Sequence, residues 1–253
     1  MFTSIQFELK ELFAHLEKDY CLKSGHLSKF IPGFNPSCLD TSLRPALLVL
    51  SAKVFKGYNY GCMMMAGVVE LIHLAQDIHN QIPDECPKDV PQFPVLVGDY
   101  LFSKFFKKLS DHNLLEWLAP LASVICKMNE GGTIRREVIE HGRGLNKDYL
   151  DVLLMEYGLL TGLACKIGGS LAGCNERQAD ALEQFGLNLG MAWGVIKEKY
   201  PLVPGDFLNI ARKNLLKISM GQESKDMMDI IDEFEVMASN HLARPEAALC
   251  HAL

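Results

Sequence analysis

The chain has 253 residues, of which 49% are hydrophobic, and its formal net charge is −6 at pH 7. This hydrophobic content is typical of a folded chain with a buried core and excludes a disordered polar one. The acidic balance, with lysines and arginines scattered along the sequence, argues against a nucleic-acid partner. Because no linker interrupts the chain, it predicts a single domain over residues 1–253.

The cysteine pattern and the N-terminal segment indicate a compartment. The eight cysteines are widely spaced and none forms a Cys-x-x-Cys pair, so we expect reduced thiols rather than a zinc knuckle. The first 20 residues mix charged and apolar residues as an amphipathic helix does, unlike a signal peptide. No apolar run approaches the roughly 20 residues of a membrane span. These features predict a cytoplasmic protein without a transmembrane segment.

Apolar residues recur at intervals of three and four, the period of an α-helix, along most of the chain. No Asn-Gly or Asp-Gly pair, the strongest signal for a β-hairpin, occurs in the sequence. Asn175 and Gln178 are spaced as a capping box at the start of a helix. Beyond the first 20 residues, the helical pattern covers 45–55, 62–78, 95–109, 114–128, 149–173, 177–199 and 207–218. The sequence therefore predicts an all-α bundle of about ten helices.

Two of the predicted helices, 149–173 and 175–199, contain glycines at close intervals. A glycine inside a helix costs about 1 kcal/mol relative to alanine. A chain keeps several of them where another helix must approach closely. We therefore predict that these helices pack tightly against neighbouring helices.

The stretch from Glu70 to Asp84 carries polar groups on one helical stripe. Glu70, His73, Asp77, Gln81 and Asp84 follow 3-4-4-3 spacing, which places them on one face of a helix. The pair Glu70-x-x-His73 is also half of a di-iron bundle signature, but no second copy of that motif occurs in the sequence. The stripe is consequently a candidate ligand-binding face rather than a di-iron site.

Four segments, in this order, resemble the trans-prenyl diphosphate synthase family. They are Leu43-Arg44-Pro45, Glu70-Leu-Ile-His73, Gly98-Asp99-Tyr100-Leu101, and the glycine-containing region from Tyr149 to Trp193. The resemblance implies an isoprenoid-synthase-type helical bundle around a central cavity. It also implies a diphosphate site, in which Arg44 and His73 occupy diphosphate-binding positions, and a chain-length-determining wall at Ala75 and Gln76.

In that family, two aspartate-rich motifs hold Mg²⁺ ions that bind and neutralise an allylic diphosphate. The resemblance leaves three candidate metal ligands in this chain: Asp77, Asp84 and Glu198. Mg²⁺ is therefore a possible cofactor and an isoprenoid diphosphate a possible ligand. A three-metal site needs four or five carboxylates in the family pattern, so these three are too few to assemble it.

The chain departs from the family at the positions that carry chemistry. Asn80 and Gln81 replace the leading aspartates of the first motif, and Lys197 replaces the first aspartate of the second. Glu156 stands where relatives have a diphosphate-binding lysine, and a carboxylate there repels a diphosphate. The ammonium of Lys197 could replace a metal ion near an anion, but the favoured interpretation is a solvated charge at a helix end beside Lys199. Ordinary prenyl transfer by this chain alone is not expected.

The leading hypothesis is a non-catalytic or auxiliary subunit of the prenyl synthase family. It forms a homodimer, or a heterodimer with an active prenyl synthase, through long helices. One alternative is a divergent prenyltransferase or terpene-synthase-like enzyme that uses Asp77, Asp84 and Glu198 with fewer metal ions. A second alternative is a binding protein for an apolar ligand in the central cavity.

Overall fold

The computed structural model describes residues 2–20, 38–80, 93–140, 147–218 and 222–242, and within them every regular element is helical. Two predicted polar positions, Gln81 and Asp84, lie outside the described residues. The prediction of an all-α bundle is confirmed. The α-helices are α1 (Gln6–Tyr20), α2 (Leu39–Val54), α3 (Tyr60–Asn80), α4 (Phe93–Asp111), α5 (Leu118–Glu140), α6 (Lys147–Leu153), α7 (Leu159–Leu171), α8 (Glu176–Lys197), α9 (Gly205–Leu215) and α10 (Gln222–Leu242).

The core of the bundle is built around α2, α3, α7 and α8. Helix α7 packs against both α2 and α8, while α3 packs against α2 and α4, and α9 and α10 cover α8 and α2. Phe105, Phe185 and Phe234, from three different helices, are fully buried in the same apolar cluster. Burial of these side chains is the main favourable term for the fold.

The glycines of α7 and α8 lie where helices cross closely. A Cβ atom on Gly168 would lie 2.2 Å from the carbonyl oxygen of Leu48 in α2. A Cβ atom on Gly190 would lie 2.4 Å from the carbonyl oxygen of Tyr157. The predicted tight packing is confirmed, and it occurs inside the protomer. The small-residue faces therefore serve the core rather than a subunit contact.

Replacing Gly168 with alanine is expected to lower the free energy of unfolding by about 1–3 kcal/mol. The added methyl group would meet backbone atoms of α2, which cannot rotate away as a side chain can. Gly205→Ala is the matched control, because the nearest atom to its Cβ position lies 3.7 Å away. Urea denaturation measures both variants, and equal stability of the two would contradict the close approach.

Three helices differ in extent from the sequence prediction. Helix α5 continues beyond residue 128 to Glu140, and α10 was not predicted at all. The buried residues of α10 alternate with many acidic ones, which masks the apolar stripe. The single helix predicted over 149–173 instead contains a π-helical turn at Leu154–Gly158, between α6 and α7. That turn contributes Glu156 and Tyr157 to the site described below.

The predicted capping box at the start of α8 is confirmed. The Asn175 side chain accepts a hydrogen bond from the backbone N–H of Gln178 at 3.0 Å. In return the Gln178 side chain accepts one from the backbone N–H of Asn175, also at 3.0 Å. Two of the N–H groups left unpaired by the helix start are thereby satisfied.

Helix α3 is the one described helix that is long and apolar enough to cross a membrane on length and composition alone. Of its most apolar stretch, 89% is buried inside the bundle, as in the central helix of a globular fold. This burial accounts for the apolar composition without a bilayer.

Candidate functional site

One group of polar residues joins the start of α2 to α3 and to the end of α8. We call it the Asp40 cluster, and it comprises Asp40, Arg44, Glu70, His73, Trp193 and Lys197. Trp193 donates its indole N–H to one carboxylate oxygen of Asp40 at 2.9 Å. Lys197 donates to the other oxygen at 2.7 Å, and the His73 Nε2 atom lies 3.7 Å from it. Asp40 is thus the acceptor at the centre of the cluster.

Asp40 is ionised because its neighbours outweigh its burial. Burial alone raises the pKa of the carboxyl, but contact with His73 and the charges of Arg44 and Lys197 hold that pKa well below its ordinary value. Lys197 is therefore not the solvated helix-end charge that the sequence suggested. It forms an ion pair with a residue 157 positions earlier, and that expectation was wrong because the sequence does not reveal Asp40 as its neighbour.

The two predicted diphosphate-binding residues, Arg44 and His73, lie together in this cluster and are both buried. The Nη1 atom of Arg44 donates to the backbone oxygen of Asp40 at 3.1 Å. Burial, and then the charge of Arg44, lowers the pKa of His73, so the imidazole is neutral at pH 7. Arg44 and His73 are therefore part of the interior of the bundle.

Glu70 is fully buried in the same cluster, and within the described residues neither of its carboxyl oxygens has a hydrogen-bond partner. Burial raises the pKa of this carboxyl well above its ordinary value, and Arg44 only partly offsets that effect. Burial thus favours the protonated, uncharged form of this carboxyl. An uncharged Glu70 avoids the large cost of an unpaired charge in the core.

A second group, the Arg135 cluster, comprises Arg135, Tyr149, Glu156, Tyr157 and Glu198. Arg135 binds Glu156 with two nitrogens, at 3.1 Å and 2.5 Å, and donates to Glu198 at 3.0 Å. Glu198 also accepts from Tyr149 at 3.3 Å and from Tyr157. The Lys197 ammonium lies 5.4 Å from the centre of the Tyr157 ring, which links the two clusters.

The guanidinium of Arg135 determines the charge state of the two carboxylates beside it. Burial raises the pKa of Glu156, and Arg135 offsets only part of that rise. Burial also raises the pKa of Glu198. Arg135 and the Tyr157 hydroxyl lower this pKa by more than burial raises it, so the pKa of Glu198 lies below its ordinary value. Burial and the adjacent carboxylate raise the pKa of Tyr149 to about 12, so its phenol stays protonated. The cluster is a paired, hydrogen-bonded network.

The side chains that the structure describes do not by themselves form a Mg²⁺ cluster. Among the described residues, no three His, Cys, Asp or Glu side chains are grouped so that they could hold a metal ion. Glu198 is bonded to Arg135, and Asp77 is half-buried on α3, where its charge acts on His73 and Glu70. Asp84, the third candidate ligand, lies outside the described residues. Mg²⁺ binding favours several carboxylate oxygens on one ion, and an arginine bonded to a carboxylate opposes it.

The predicted cavity wall, Ala75 and Gln76, lies on α3 and is buried. Gln76 donates to the Asn80 side chain at 3.1 Å, and its own carbonyl oxygen has no hydrogen-bond partner in the described part of the chain. A Cβ atom on Gly132 of α5 would lie 3.1 Å from the Asn80 oxygen and 3.9 Å from a Glu156 oxygen. The polar stripe of α3 therefore faces the Arg135 cluster across α5.

Sequence reasoning missed three residues that organise this site: Asp40, Arg135 and Trp193. Asp40 lies one helical turn before Arg44, but nothing in the sequence marks it as the partner of Lys197. Arg135 lies outside every motif, and nothing in the sequence marks it as the partner of Glu156 and Glu198.

Comparison with known proteins agrees with this architecture. The sequence profile of the family described as Polyprenyl synthetase matches residues 41–197. The geranylgeranyl diphosphate synthase of Methanosarcina mazei is 27% identical over 210 residues, covering 76% of this chain and 63% of that relative. This chain thus spans less than two thirds of that relative's length.

Solved structures show the same fold. The decaprenyl diphosphate synthase from Rhodobacter capsulatus superposes with a TM-score of 0.78 at 18% identity, covering 92% of this chain and 97% of that one. A deletion mutant of the heterotetrameric geranyl pyrophosphate synthase of mint gives a TM-score of 0.69 at 19% identity, covering 88% and 96%. The chain belongs to the polyprenyl synthetase family. The relatives that it matches are prenyl diphosphate synthases of isoprenoid biosynthesis.

Proposed function

We propose that this protein is a non-catalytic member of the polyprenyl synthetase family that works as an auxiliary or regulatory subunit beside an active prenyl diphosphate synthase. The observation that carries the proposal is the pairing of charges in the two clusters. Asp40 is bonded to Lys197, and Arg135 is bonded to both Glu156 and Glu198. Side chains that neutralise one another attract neither a metal ion nor a diphosphate.

The pairing of individual charges supports this proposal. Asp40 is paired with Lys197, and Glu156 and Glu198 are both paired with Arg135. A diphosphate with its metal ions needs a surplus of carboxylates to hold several divalent cations. Binding of even one Mg²⁺ at Glu198 must first displace Arg135 from a partly buried ion pair, which costs several kcal/mol, on the order of 3–5.

Retention of the whole fold supports a role in assembly rather than loss of all function. Helix α4 carries two large apolar side chains on its surface, Leu96 and Phe106, which are 61% and 51% exposed. Such side chains are compatible with a subunit contact, although single exposed apolar residues also occur on the surfaces of monomers. The mint structural neighbour is a heterotetrameric geranyl pyrophosphate synthase, so the fold is compatible with assembly of unlike subunits.

The purified chain is expected to give no product when incubated with Mg²⁺, isopentenyl diphosphate and dimethylallyl, geranyl or farnesyl diphosphate. A catalytically active relative assayed in parallel provides the positive control. Product is quantified by mass spectrometry, and calorimetry with Mg²⁺ and a non-hydrolysable allylic diphosphate tests binding separately. Affinity capture with the folded chain is expected to retain an intact prenyl synthase from the same cells.

Robust turnover by the chain alone would overturn the proposal and favour the divergent enzyme. Metal-dependent binding of the analogue without turnover would also count against it, because paired carboxylates should not recruit Mg²⁺. Lack of both turnover and a prenyl synthase partner would remove the auxiliary role while leaving the non-catalytic assignment intact.

A further inference from the structure

Two ionisable side chains, Glu70 of α3 and Arg44 of α2, are enclosed in the bundle, with exposures of 0% and 1%. They lie on two helices that pack against each other. Among the described residues, both carboxyl oxygens of Glu70 and the Nε atom of Arg44 are without a hydrogen-bond partner. Buried polar atoms are nearly always paired. Three such atoms on adjacent helices therefore require an explanation beyond packing.

The hydrogen bond that Arg44 makes is local to its own helix. Its Nη1 atom donates to the backbone oxygen of Asp40, four residues earlier in α2, at 3.1 Å. This contact leaves the Nε–H edge of the guanidinium unused. An arginine can bind a carboxylate through two parallel N–H donors, and Glu70 has two oxygens to accept them. The donor and the acceptor of a cross-helix ion pair are thus present but unconnected.

The protonation state of Glu70 determines whether it needs a counter-charge. A protonated carboxyl needs none, whereas a carboxylate without a partner in the core is strongly unfavourable. Among the charges that act on Glu70, that of Arg44 is the largest and favours the ionised form. Ionisation would therefore draw the unused Nε edge of Arg44 toward Glu70. The resulting ion pair joins α2 to α3 and has no equivalent in the protonated form.

The other groups around Glu70 favour its protonated form. Burial raises the pKa of this carboxyl well above its ordinary value, and Arg44 offsets only part of that rise. The negative charges of Asp40 on α2 and Asp77 on α3 raise the pKa further, as does Cys38 at the start of α2. Folding therefore increases the affinity of Glu70 for a proton.

Arg44 is the cation of this cluster that remains for Glu70. Lys197 is bonded to Asp40 at 2.7 Å. His73 lies one turn after Glu70 on α3, but burial and then the charge of Arg44 lower the pKa of its imidazole. Because a neutral imidazole supplies no counter-charge, the ionised form of Glu70 depends on Arg44.

We propose that Glu70 and Arg44 form a proton-controlled contact between α2 and α3. With a proton on Glu70, Arg44 stays bonded to the backbone of Asp40. Loss of that proton to the solvent lets the guanidinium bind the Glu70 carboxylate, and its return restores the first arrangement. The proposal depends on this buried pair alone, so it holds whether or not the chain has the proposed auxiliary role.

The first test is carbon-13 NMR of the full chain with labelled glutamate carboxyl groups, titrated in the folded state and in urea. The Glu70 signal is assigned by its loss in Glu70→Gln. We expect it to titrate at a higher pH in the folded chain than in the urea-unfolded chain, which provides the reference. Asp40→Asn removes a negative charge that acts on Glu70, so it should move the folded-state midpoint to lower pH.

The same titration reports on the partner. The Nε–H signal of Arg44, assigned by its loss in the charge-conserving variant Arg44→Lys, is expected to shift with the same midpoint as Glu70. The reason is that this N–H becomes a donor to the carboxylate when Glu70 ionises. An Arg44 signal that does not respond while Glu70 titrates would overturn the proposed contact.

Chemical denaturation at pH 5 and pH 8 provides an independent measurement. Because a raised folded-state pKa costs stability above the unfolded pKa, the parent should lose stability relative to Glu70→Gln as the pH rises. Glu130→Gln is the matched control, since it makes the same change at a side chain of α5 that is 50% exposed, and it should follow the parent. Equal pH dependence of Glu70→Gln and the parent contradicts the proposal, as does a Glu70 midpoint that is not raised by folding.

Discussion

Replacing Arg135 with methionine is expected to lower the free energy of unfolding by about 3–5 kcal/mol at pH 7. Methionine keeps most of the side-chain volume but removes the only cation bonded to Glu156 among the described residues. Glu156 is 7% exposed, so water cannot replace the lost partner. Glu198 loses the same cation but keeps the hydroxyl groups of Tyr149 and Tyr157. Chemical denaturation at pH 7 measures the loss.

The pH dependence of this variant identifies the cause. Without Arg135, burial leaves the folded-state pKa of Glu156 above that of the unfolded chain. A carboxyl whose pKa is higher in the folded chain than in the unfolded chain destabilises the fold at pH values above the unfolded pKa. This destabilisation decreases as the pH falls and is absent below the unfolded pKa. The deficit of Arg135→Met should therefore shrink between pH 7 and pH 4.

Two further variants complete the experiment on Arg135. The triple variant Arg135→Met, Glu156→Gln, Glu198→Gln should recover most of the lost stability, because no buried charge remains unpaired. The control Lys127→Met breaks the exposed Lys127–Glu130 pair and should change stability by less than about 0.5 kcal/mol. An Arg135→Met chain as stable as the parent at pH 7 would show that the network contributes nothing to folding.

Replacing Asp40 with asparagine is expected to lower the free energy of unfolding by about 3 kcal/mol at pH 7. This value is near the lower end of the range for a buried ion pair because the Asp40 side chain is 23% exposed, so that solvent screens part of the interaction. The substitution preserves shape but removes the negative charge that Lys197 and the indole N–H of Trp193 share. Because Asp40 has a depressed pKa in the folded chain, its contribution is fully present above the unfolded pKa and is lost as the pH falls toward the folded one.

Denaturation of Asp40→Asn and the parent at pH 7 and at pH 2.5 measures this dependence, and the difference should be smaller at the lower pH. A double-mutant cycle with Lys197→Met isolates the ion pair, since the coupling energy excludes the contribution of Trp193. A stability difference that is the same at both pH values would assign the loss to packing rather than to charge.

If both variants behave as expected, the clusters stabilise the bundle at positions where the family resemblance predicts metal ions and diphosphate. The two roles compete at Glu198, because three of the roughly four lone-pair sites of its carboxylate already accept from Arg135, Tyr149 and Tyr157. This explains how a member of the family keeps its fold while losing carboxylates: cations on neighbouring helices balance those that remain.

Several features could be predicted because they depend on nearby residues. Helical periodicity predicted most helices. The prediction of the Asn175–Gln178 capping box was confirmed, and it could be made from sequence because both of its hydrogen bonds join residues only three positions apart. Helix α10 was missed because its buried face, including Phe234, alternates with acidic residues. The π-helical turn that places Glu156 and Tyr157 in the site also left no recognisable pattern.

By itself, the sequence determined the helical class and the resemblance to prenyl synthases, since these follow from residue identity and local period. The replacement of aspartates by Asn80, Gln81 and Lys197 is a prediction from that resemblance. Only the tertiary structure decided which charges compensate for one another. Lys197 meets Asp40 across 157 residues, and Arg135 meets Glu198 across 63. Electrostatic pairing depends on distance through space in a poorly screened interior, and separation along the chain carries no information about that distance.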